Sequence, residues 1–333
     1  MKMRARLLIP VVLWLCSVGQ LPHTASAAGS EAPTALTYVT FNLFHGGAFS
    51  GLGGNAYDLD GRLEIVAGEL RALQADIVGL QEASRGRERG DVAARLAARL
   101  GFHYVYAPAN PRLFASDGLS RAIASLLGFE EGPAILSRFP VVAWHAYELP
   151  RCGRLIESRS LLSAMLATPW GPLRAFSAHT SGDPCQTRRV AEIVRAGQGP
   201  LPGVLMGDFN AVEESPAIAA FTRDAGLIDA YRTANPGRPG LTVWQRIEEA
   251  NPTVQRRVDY ILVTPGAAVE GRVASSRLVL NTPRSLRDGK TLWPSDHYGV
   301  AAEIEVSRVR AAAHVARRPE TTAALPQSLV RFR

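Results

Sequence analysis

Polar side chains that can do acid–base or metal chemistry recur where predicted strands begin or end. The segment GDFN at 207–210 is the clearest case, because Asp208 directly follows the apolar run Val204-Leu205-Met206. Burying a lone carboxylate costs on the order of several kcal/mol or drives its protonation, so Asp208 needs a metal ion, a cationic side chain or solvent as a partner. Other candidates stand at the ends of apolar runs in the same way: Asn42, Glu82, His179, Asn210, Asp296 and His297.

Asp259 differs because it lies inside a predicted strand. In RRVDYILV, side-chain alternation places Asp259 on the same face as Ile261 and Val263, which favours its burial. A half-buried carboxylate favours a hydrogen-bonded cation or imidazole. An Asp–His pair would fix the tautomer of the ring and raise its basicity.

Each of the other candidates, taken alone, also has a structural explanation. Asn42 is compatible with a turn cap, His179 with a histidine that satisfies backbone groups, and Asp208 with the start of an Asx-turn. Glu82 and Asp296 are compatible with solvated loop positions. The chemical interpretation therefore requires that a rigid scaffold bring all of them to one place.

The elements that must position these residues alternate between strand and helix patterns. Predicted strands cover 37–44, 75–82, 103–108, 132–149 as one or two strands, both arms of a hairpin around Trp170, 203–210, 257–263, 272–280 and 298–306. Predicted helices cover 59–74, 91–101, 187–197 and 215–226. Residues 109–131 read as an insertion with one helical turn, and 281–295 as a polar loop. Many strands with a few helices favour an α+β fold or a four-layer sandwich.

The first residues are typical of a secretory signal peptide at 1–27. Lys2, Arg4 and Arg6 precede the apolar stretch LLIPVVLWLCSVG, and ASA at 25–27 is a small-residue cleavage motif. The pattern predicts an exported protein, secreted or periplasmic. An uncleaved N-terminal anchor is the alternative.

The positive charge of the chain is concentrated at its two ends. The net charge is +7, of which the leader contributes +3 and residues 307–333 contribute +5, which leaves −1 for the residues between them. Residues 36–306 are predicted to form one domain, and 307–333 a basic, disordered tail. The domain therefore shows no excess of positive charge for binding nucleic acid.

Two cysteines, Cys152 and Cys185, remain after the leader. An even pair in an exported chain suggests a disulfide. The predicted hairpin around Trp170 would bring the two residues together at its open end, so a Cys152–Cys185 disulfide is predicted. Two unrelated small apolar residues are the alternative.

Several short motifs, taken in order, link the chain to a known family. They are TFNLFHG, DIVGLQE, AILSRFP, SAHT, GDFNA, RVDYILV and SDHYGV. Each is weak alone, but in this order they resemble the endonuclease/exonuclease/phosphatase superfamily, with the deoxyribonuclease I-like fold, over residues 36–306. The resemblance implies a four-layer α/β/β/α sandwich of two mixed β-sheets flanked by helices. It also implies hydrolysis of phosphoester bonds with Mg²⁺, or Mn²⁺ or Ca²⁺, as cofactor.

The resemblance implies roles for the residues that would meet metal and phosphate. Glu82 is implied as the principal metal ligand, with Asn42 and Asp296 beside it. His179 would contact the phosphate or assist the leaving group. His45 is a substrate-binding candidate that would line the cleft, or else it satisfies its own loop.

The resemblance also implies how water is activated. Asp208 and Asn210 would position or activate the attacking water and hold the phosphate. Asp259 would orient His297, which would act as general base or stabilise the transition state. Arg159, on a strand that leads toward the hairpin, is interpreted as an ion pair at the edge of the core rather than a phosphate ligand.

Two positions separate the chain from the abasic-site endonuclease branch of this superfamily. That branch has an acid where Phe44 stands and tends to have Tyr where His179 stands. The chain is therefore more similar to deoxyribonuclease I, to sphingomyelinase-like members and to secreted bacterial members.

The expected function is an exported hydrolase of phosphodiester bonds, acting as a monomer without a stable protein partner. Nucleic acid and phospholipid head groups are both candidate substrates. A phosphomonoesterase or a phospholipase-like hydrolase is the alternative within the same site. A non-catalytic binding module is the alternative of another class, and it would show gaps in the set of site residues, whereas all of them are present.

Overall fold

The computed structural model describes residues 34–46, 55, 57–109, 117–126, 130–153, 158–244, 246–266 and 271–306. The predicted signal peptide and the predicted tail lie outside the described residues. Each helix among the described residues is too short or too polar to cross a membrane.

The described residues form strands and helices in an alternating order. The strands are β1 (Thr34–Asn42), β2 (Ile77–Gly86), β3 (Gly90–Asp91), β4 (His103–Tyr106), β5 (Glu131–Ser137), β6 (Val141–Glu148), β7 (Ser160–Thr168), β8 (Gly171–His179), β9 (Val204–Asp208), β10 (Ile228–Asp229), β11 (Asp259–Val263), β12 (Arg272–Val279), β13 (Arg284–Ser285), β14 (Thr291–Leu292) and β15 (Gly299–Val306). The helices are α1 (Leu59–Ala72), α2 (Val92–Leu100), α3 (Asp117–Leu126), α4 (Pro184–Ala196), α5 (Pro216–Ala219) and α6 (Ala230–Ala234).

Most of the strands belong to two mixed sheets. The first sheet has the order β12-β15-β1-β2-β5-β4, with β3 paired to β2, and the second has the order β10-β11-β9-β8-β7-β6. The pairs β1–β2 and β8–β9 are parallel, and their neighbours are antiparallel. The predicted α+β fold with two mixed sheets is confirmed.

Side-chain alternation along the strands builds the layers. Tyr38 of β1 lies in a buried cluster between the sheets together with Met206 of β9. Phe41, three residues further along β1, lies in a second cluster with the α1 residue Leu63. On the outer face of the second sheet, Phe176 shares a third cluster with residues of α4 and α5. Each fully buried side chain of this size contributes roughly 1.5–3 kcal/mol to folding, so the layers stabilise one another.

Local sequence signals set the helix ends. Asp91 caps α2 by accepting a hydrogen bond from the Ala94 N–H, and Gly101 ends that helix with a left-handed φ of 71°. Asp183 caps α4 in the same manner, through the N–H of Cys185, and Pro184 occupies the first turn.

The stretch 132–149 forms two strands, β5 and β6, which is one of the two outcomes predicted for it. Other elements differ from the prediction. The predicted helix at 215–226 is α5 followed by a π-helical turn at Ala220–Asp224. The expected single turn within 109–131 is the longer helix α3. The patterns miss β10, α6 and the β13–β14 hairpin, because two to five residues are too few to show a period.

The disulfide between Cys152 and Cys185 is present, with the two Cα atoms 6.1 Å apart. It joins the segment after β6 to the first turn of α4. The β7–β8 hairpin lies between the two cysteines in the chain, as the sequence predicts.

Candidate active site

The candidate residues of the second sheet meet through strand register. His179 ends β8, Asp208 ends β9 and Asp259 begins β11. Parallel pairing places His179 opposite Asp208, and antiparallel pairing places Asp259 opposite Asp208 as well. Side chains distant in the chain are therefore neighbours at one edge of the sheet.

Glu82 is aimed by an irregularity in β2. The pairing of β2 with β5 shifts register between Leu80 and Ala83, and Glu82 has a left-handed φ of 52°. A bulge of this kind redirects a side chain, and a left-handed backbone costs on the order of 1–3 kcal/mol. The Glu82 carboxylate accepts hydrogen bonds from Asn42 Nδ2 at 3.1 Å and from the His45 N–H at 2.9 Å. The strained backbone thus turns Glu82 toward the end of β1.

Asn42 links the two sheets. Its Nδ2 donates to Glu82 Oε1 and, at 3.0 Å, to Asp208 Oδ2. Its Oδ1 accepts from the Phe44 N–H at 2.9 Å. Asn42 therefore contacts Glu82 as a donor, and its role as a metal ligand stays a prediction.

Asn210 stands between Asp208 and His179. Its N–H donates to Asp208 Oδ1 at 2.9 Å with a left-handed φ of 50°, which is the Asx-turn considered as a structural alternative. Its Nδ2 donates to the Thr180 carbonyl at 2.9 Å and lies 3.1 Å from His179 Nε2. His179 Nε2 also lies 3.6 Å from Asp208 Oδ2.

Asp259 faces His297 on the other side of Asp208. The distance from His297 Nδ1 to Asp259 Oδ2 is 2.9 Å, and both side chains are buried. His297 Nε2 lies 3.9 Å from Asp208 Oδ2. The adjacent Asp296 accepts a hydrogen bond from the Ser295 hydroxyl at 3.3 Å.

Burial and the neighbouring charges shift the pKa values of Asp208 and His297 to different extents. Burial, and then the negative charge of Asp259, raise the pKa of Asp208 to about 7. Burial lowers the pKa of His297, but the charge and hydrogen bond of Asp259, with the charge of Asp208, outweigh it and raise the pKa to about 10. Asp259 therefore favours the protonated form of His297 and disfavours the ionised form of Asp208.

The carboxylates near Asn42 also have shifted pKa values. Burial raises the pKa of Glu82, yet the hydrogen bonds and charge of His45 bring it below its ordinary value. Burial raises the pKa of Asp296; the charge of His297 opposes that rise and the charge of Glu82 adds to it. Glu82 is therefore ionised, and it repels Asp296.

The donor set fits a divalent cation. A cation near Glu82 and Asp296 would relieve their repulsion, and carboxylate oxygens suit Mg²⁺ and Mn²⁺. His45 Nδ1 lies 3.6 Å from a carboxylate oxygen of Glu82 and from one of Glu131. The ligand atoms of these three residues lie within 4.8 Å of one another, so Glu131 joins the candidates.

Sequence reasoning missed Glu131 and Arg62. Glu131 precedes the apolar run of β5, so it follows the same strand-end rule as the other candidates. Arg62 is buried in α1 and donates to the carbonyls of Leu43 at 2.7 Å, Phe44 at 3.1 Å and Pro294 at 3.2 Å. It thereby ties the segment after Asn42 to the segment before Asp296.

The predicted ion pair of Arg159 exists. Its NH1 lies 3.8 Å from Glu131 Oε1. The same nitrogen lies 2.7 Å from His179 Nδ1, a contact that the sequence did not indicate.

Comparison with known proteins identifies the class. The sequence profile of the Endonuclease/Exonuclease/phosphatase family matches residues 39–297. The chain belongs to this family, whose members hydrolyse phosphoester bonds. A search of curated proteins found no match.

Solved structures with the same fold come from bacteria and from human. A family member from Bacteroides vulgatus is 20% identical, with a TM-score of 0.59, and the match covers 82% of this chain and 100% of that one. A mannosyl-6-phosphatase from Bacteroides thetaiotaomicron is 19% identical, with a TM-score of 0.61 and coverage of 81% and 99%. The human Nocturnin catalytic domain, solved with a bound sulfate anion, is 19% identical, with a TM-score of 0.57 and coverage of 83% and 94%. At these identities the likeness establishes the fold.

Proposed function

We propose that this protein is an exported, divalent-metal-dependent hydrolase of phosphodiester bonds. The surroundings of Asp208 Oδ2 carry the proposal. This buried oxygen lies 3.0 Å from Asn42 Nδ2, 3.6 Å from His179 Nε2 and 3.9 Å from His297 Nε2. A carboxylate among these nitrogen atoms can accept a proton from water while its neighbours bind phosphoryl oxygens.

In-line attack on phosphorus requires a base for water and donors for the developing charge. Asp208, with its pKa raised to about 7, is suited to accept the proton of the attacking water near neutral pH. His297, kept protonated by Asp259, donates a hydrogen bond to a phosphoryl oxygen. Of the two roles open to His297, this charge state supports transition-state stabilisation over that of general base.

Glu82 and Asp296 would hold the cation, with Glu131 and His45 at the side of Glu82. The bound cation supplies Lewis-acid neutralisation of a phosphoryl oxygen. Arg62 holds the segments next to Asn42 and Asp296 in place through its hydrogen bonds to the carbonyls of Leu43 and Pro294.

The pairing of positive and negative side chains in the site supports a phosphodiester as the substrate, rather than a phosphomonoester. A diester carries one negative charge, whereas a phosphomonoester carries between about 1.5 and 2 at neutral pH. His297 is paired with Asp259, and Arg159 lies 3.8 Å from Glu131. Little uncompensated positive charge is then left on these side chains, and that suits the singly charged substrate.

The predicted leader at 1–27 and the Cys152–Cys185 disulfide support export, because disulfides persist in oxidising compartments. The mass of the protein recovered from the periplasm or the medium would test this proposal. Loss of the first 27 or 28 residues is expected, and a full-length protein retained in the cytoplasm would contradict it.

The test of function compares substrates under metal control. Purified protein is assayed with Mg²⁺ and with EDTA on bis(p-nitrophenyl) phosphate, p-nitrophenyl phosphate, plasmid DNA, RNA and sphingomyelin. Metal-dependent turnover of a diester, lost in Glu82→Ala and kept in the control Glu64→Ala, is expected; the Glu64 side chain is 63% exposed. Preference for p-nitrophenyl phosphate would make the protein a monoesterase instead. A folded protein that is silent on the whole panel would contradict the proposal.

A further inference from the structure

Arg159 constrains the ring of His179. The 2.7 Å contact joins its guanidinium to His179 Nδ1, and the side chains of Arg159 and His179 are only 14% and 7% exposed. An arginine has donors only and stays charged, so Nδ1 has to supply a lone pair. A neutral imidazole has one lone pair, and its proton must then sit on Nε2.

Asn210 competes for a lone pair of the same ring. Its Nδ2 is oriented by the bond to the Thr180 carbonyl and lies 3.1 Å from Nε2. The contact to Arg159 is shorter and is assisted by charge, so it is the stronger of the two. The Nε2–H group of His179 and the Nδ2–H group of Asn210 are therefore two hydrogen-bond donors next to each other. Such a pair favours one anionic acceptor that both can bind.

Burial and the positive charges around the ring favour its neutral form, and the negative charge of Glu82 opposes them. Arg159 and Asp208 contact it directly, and the charges of Glu82, His297 and His45 also act on it. Burial, followed by the charge of Arg159, lowers the pKa of His179 well below its ordinary value. Protonation of Nδ1 would set an N–H against the guanidinium.

We propose that Arg159 is a positioning residue that holds His179 neutral with its proton on Nε2, so that His179 donates a hydrogen bond to a phosphoryl oxygen and does not protonate the leaving group. The role of His179 rests on the proposed phosphoesterase function. Water transfers its proton to Asp208 as its oxygen bonds to phosphorus. The leaving oxygen departs with the bonding electron pair, as an anion that takes its proton from solvent.

Leaving-group dependence separates a hydrogen-bond donor from a general acid. Bis(p-nitrophenyl) phosphate has a good leaving group and diphenyl phosphate a poor one. His179→Ala is expected to lower kcat about 100-fold on both substrates by the same factor, since one positioned catalytic group contributes roughly 10²- to 10³-fold. In His179→Gln the amide nitrogen can replace Nε2–H, so its kcat is expected to stay within about tenfold of the wild-type value. The kcat of His179→Asn is expected to be as low as that of His179→Ala. A loss in His179→Ala that is at least about tenfold larger on diphenyl phosphate would overturn the proposal, because it would reveal a proton donor.

The tautomer can be observed without turnover. Two-bond ¹⁵N–¹H correlations of the ¹⁵N-labelled wild type, with the His179 signals assigned through His179→Gln, are expected to show the Nε2–H tautomer from pH 6 to 8. Arg159→Lys keeps a donor and should keep this pattern, whereas Arg159→Met should lose it and lower kcat. A wild-type Nδ1–H tautomer, or a His179 that titrates near its ordinary pKa, would overturn the proposal. The wild-type spectrum decides the tautomer even where Arg159→Met fails to fold. A wild type that hydrolyses no phosphoester would defeat the proposed function and leave this test intact.

Discussion

Removing the charge of Asp259 is expected to disable His297 while leaving the fold in place. The two side chains are buried and 2.9 Å apart. Loss of one partner of a buried charged pair costs about 3–5 kcal/mol, and each 1.36 kcal/mol changes a rate tenfold. If the whole of this interaction is lost in the transition state, kcat of Asp259→Asn falls by roughly 10²- to 10⁴-fold.

The assay is a double-mutant cycle on kcat. Wild type, Asp259→Asn, His297→Ala and the double variant are compared on bis(p-nitrophenyl) phosphate at saturating substrate and Mg²⁺. If Asp259 acts through His297, the double variant is no more than about threefold slower than His297→Ala. If instead the two losses in kcat multiply, the double variant is slower than His297→Ala by the same factor by which Asp259→Asn is slower than the wild type. That result would show that Asp259 does not act through His297.

Asp76→Asn is the matched control. Asp76 is also a buried carboxylate, but it precedes β2 at the strand end opposite to Glu82, where it accepts from the Thr37 N–H at 2.9 Å and pairs with Arg138. This variant is expected to lower the melting temperature and to leave kcat unchanged. Melting temperatures of all variants distinguish lost chemistry from lost folding.

Three further predictions concern stability. Cys152 and Cys185 are separated by 33 positions, so replacing both with Ser should cost about 4 kcal/mol of unfolding free energy by loop entropy, measured by urea denaturation; an unchanged midpoint would contradict this. The hydrogen bond from Arg232 holds the pKa of Glu213 below its ordinary value. The ionised Glu213 carboxylate therefore stabilises the fold at pH values above its unfolded pKa of about 4.3. This stabilisation is lost as the pH falls through the lower pKa that Glu213 has in the folded protein. Glu213→Gln should therefore lower the unfolding free energy at pH 7 and change it little near pH 3, and an equal loss at both pH values would count against it. Asn42→Asp places a third carboxylate between those of Glu82 and Asp208, which Asn42 bridges. In EDTA this variant should have a lower melting temperature than Asn42→Ala, and Mg²⁺ should raise its melting temperature more. Equal melting temperatures of the two variants under both conditions would refute the argument from charge repulsion.

The residues of the site that belong to the second sheet could be predicted, because they lie at the ends of apolar strands. Asp208 follows an apolar run, and the alternation in RVDYILV indicates that Asp259 is buried and needs an imidazole or a cation. The structure supplies His297 as that partner. These predictions need only a strand period and the cost of burying a charge.

The first-sheet part depends on geometry that no local pattern encodes. The left-handed backbone at Glu82 follows from a register shift against β5, a strand about fifty residues further along the chain. Arg159 could be predicted as an ion pair and the β7–β8 hairpin could be predicted too, but the contact of Arg159 with His179 depends on the register of that hairpin, in which Leu161 pairs with Ala178. Glu131 was missed because its partners, His45 and Glu82, come together only in the folded sheet.

In the proposed mechanism, water attacks phosphorus with Asp208 as its base, in a metal-dependent site at the strand ends. This attack can be followed by hydrolysing bis(p-nitrophenyl) phosphate in H₂¹⁸O with Mg²⁺ and analysing the mass of both products. One ¹⁸O atom per turnover is expected in the p-nitrophenyl phosphate and none in the p-nitrophenol, with turnover abolished by EDTA. Label in the p-nitrophenol would show attack on carbon rather than phosphorus, and label transfer that persists in EDTA would show that no metal ion is needed; either result would contradict the proposed mechanism.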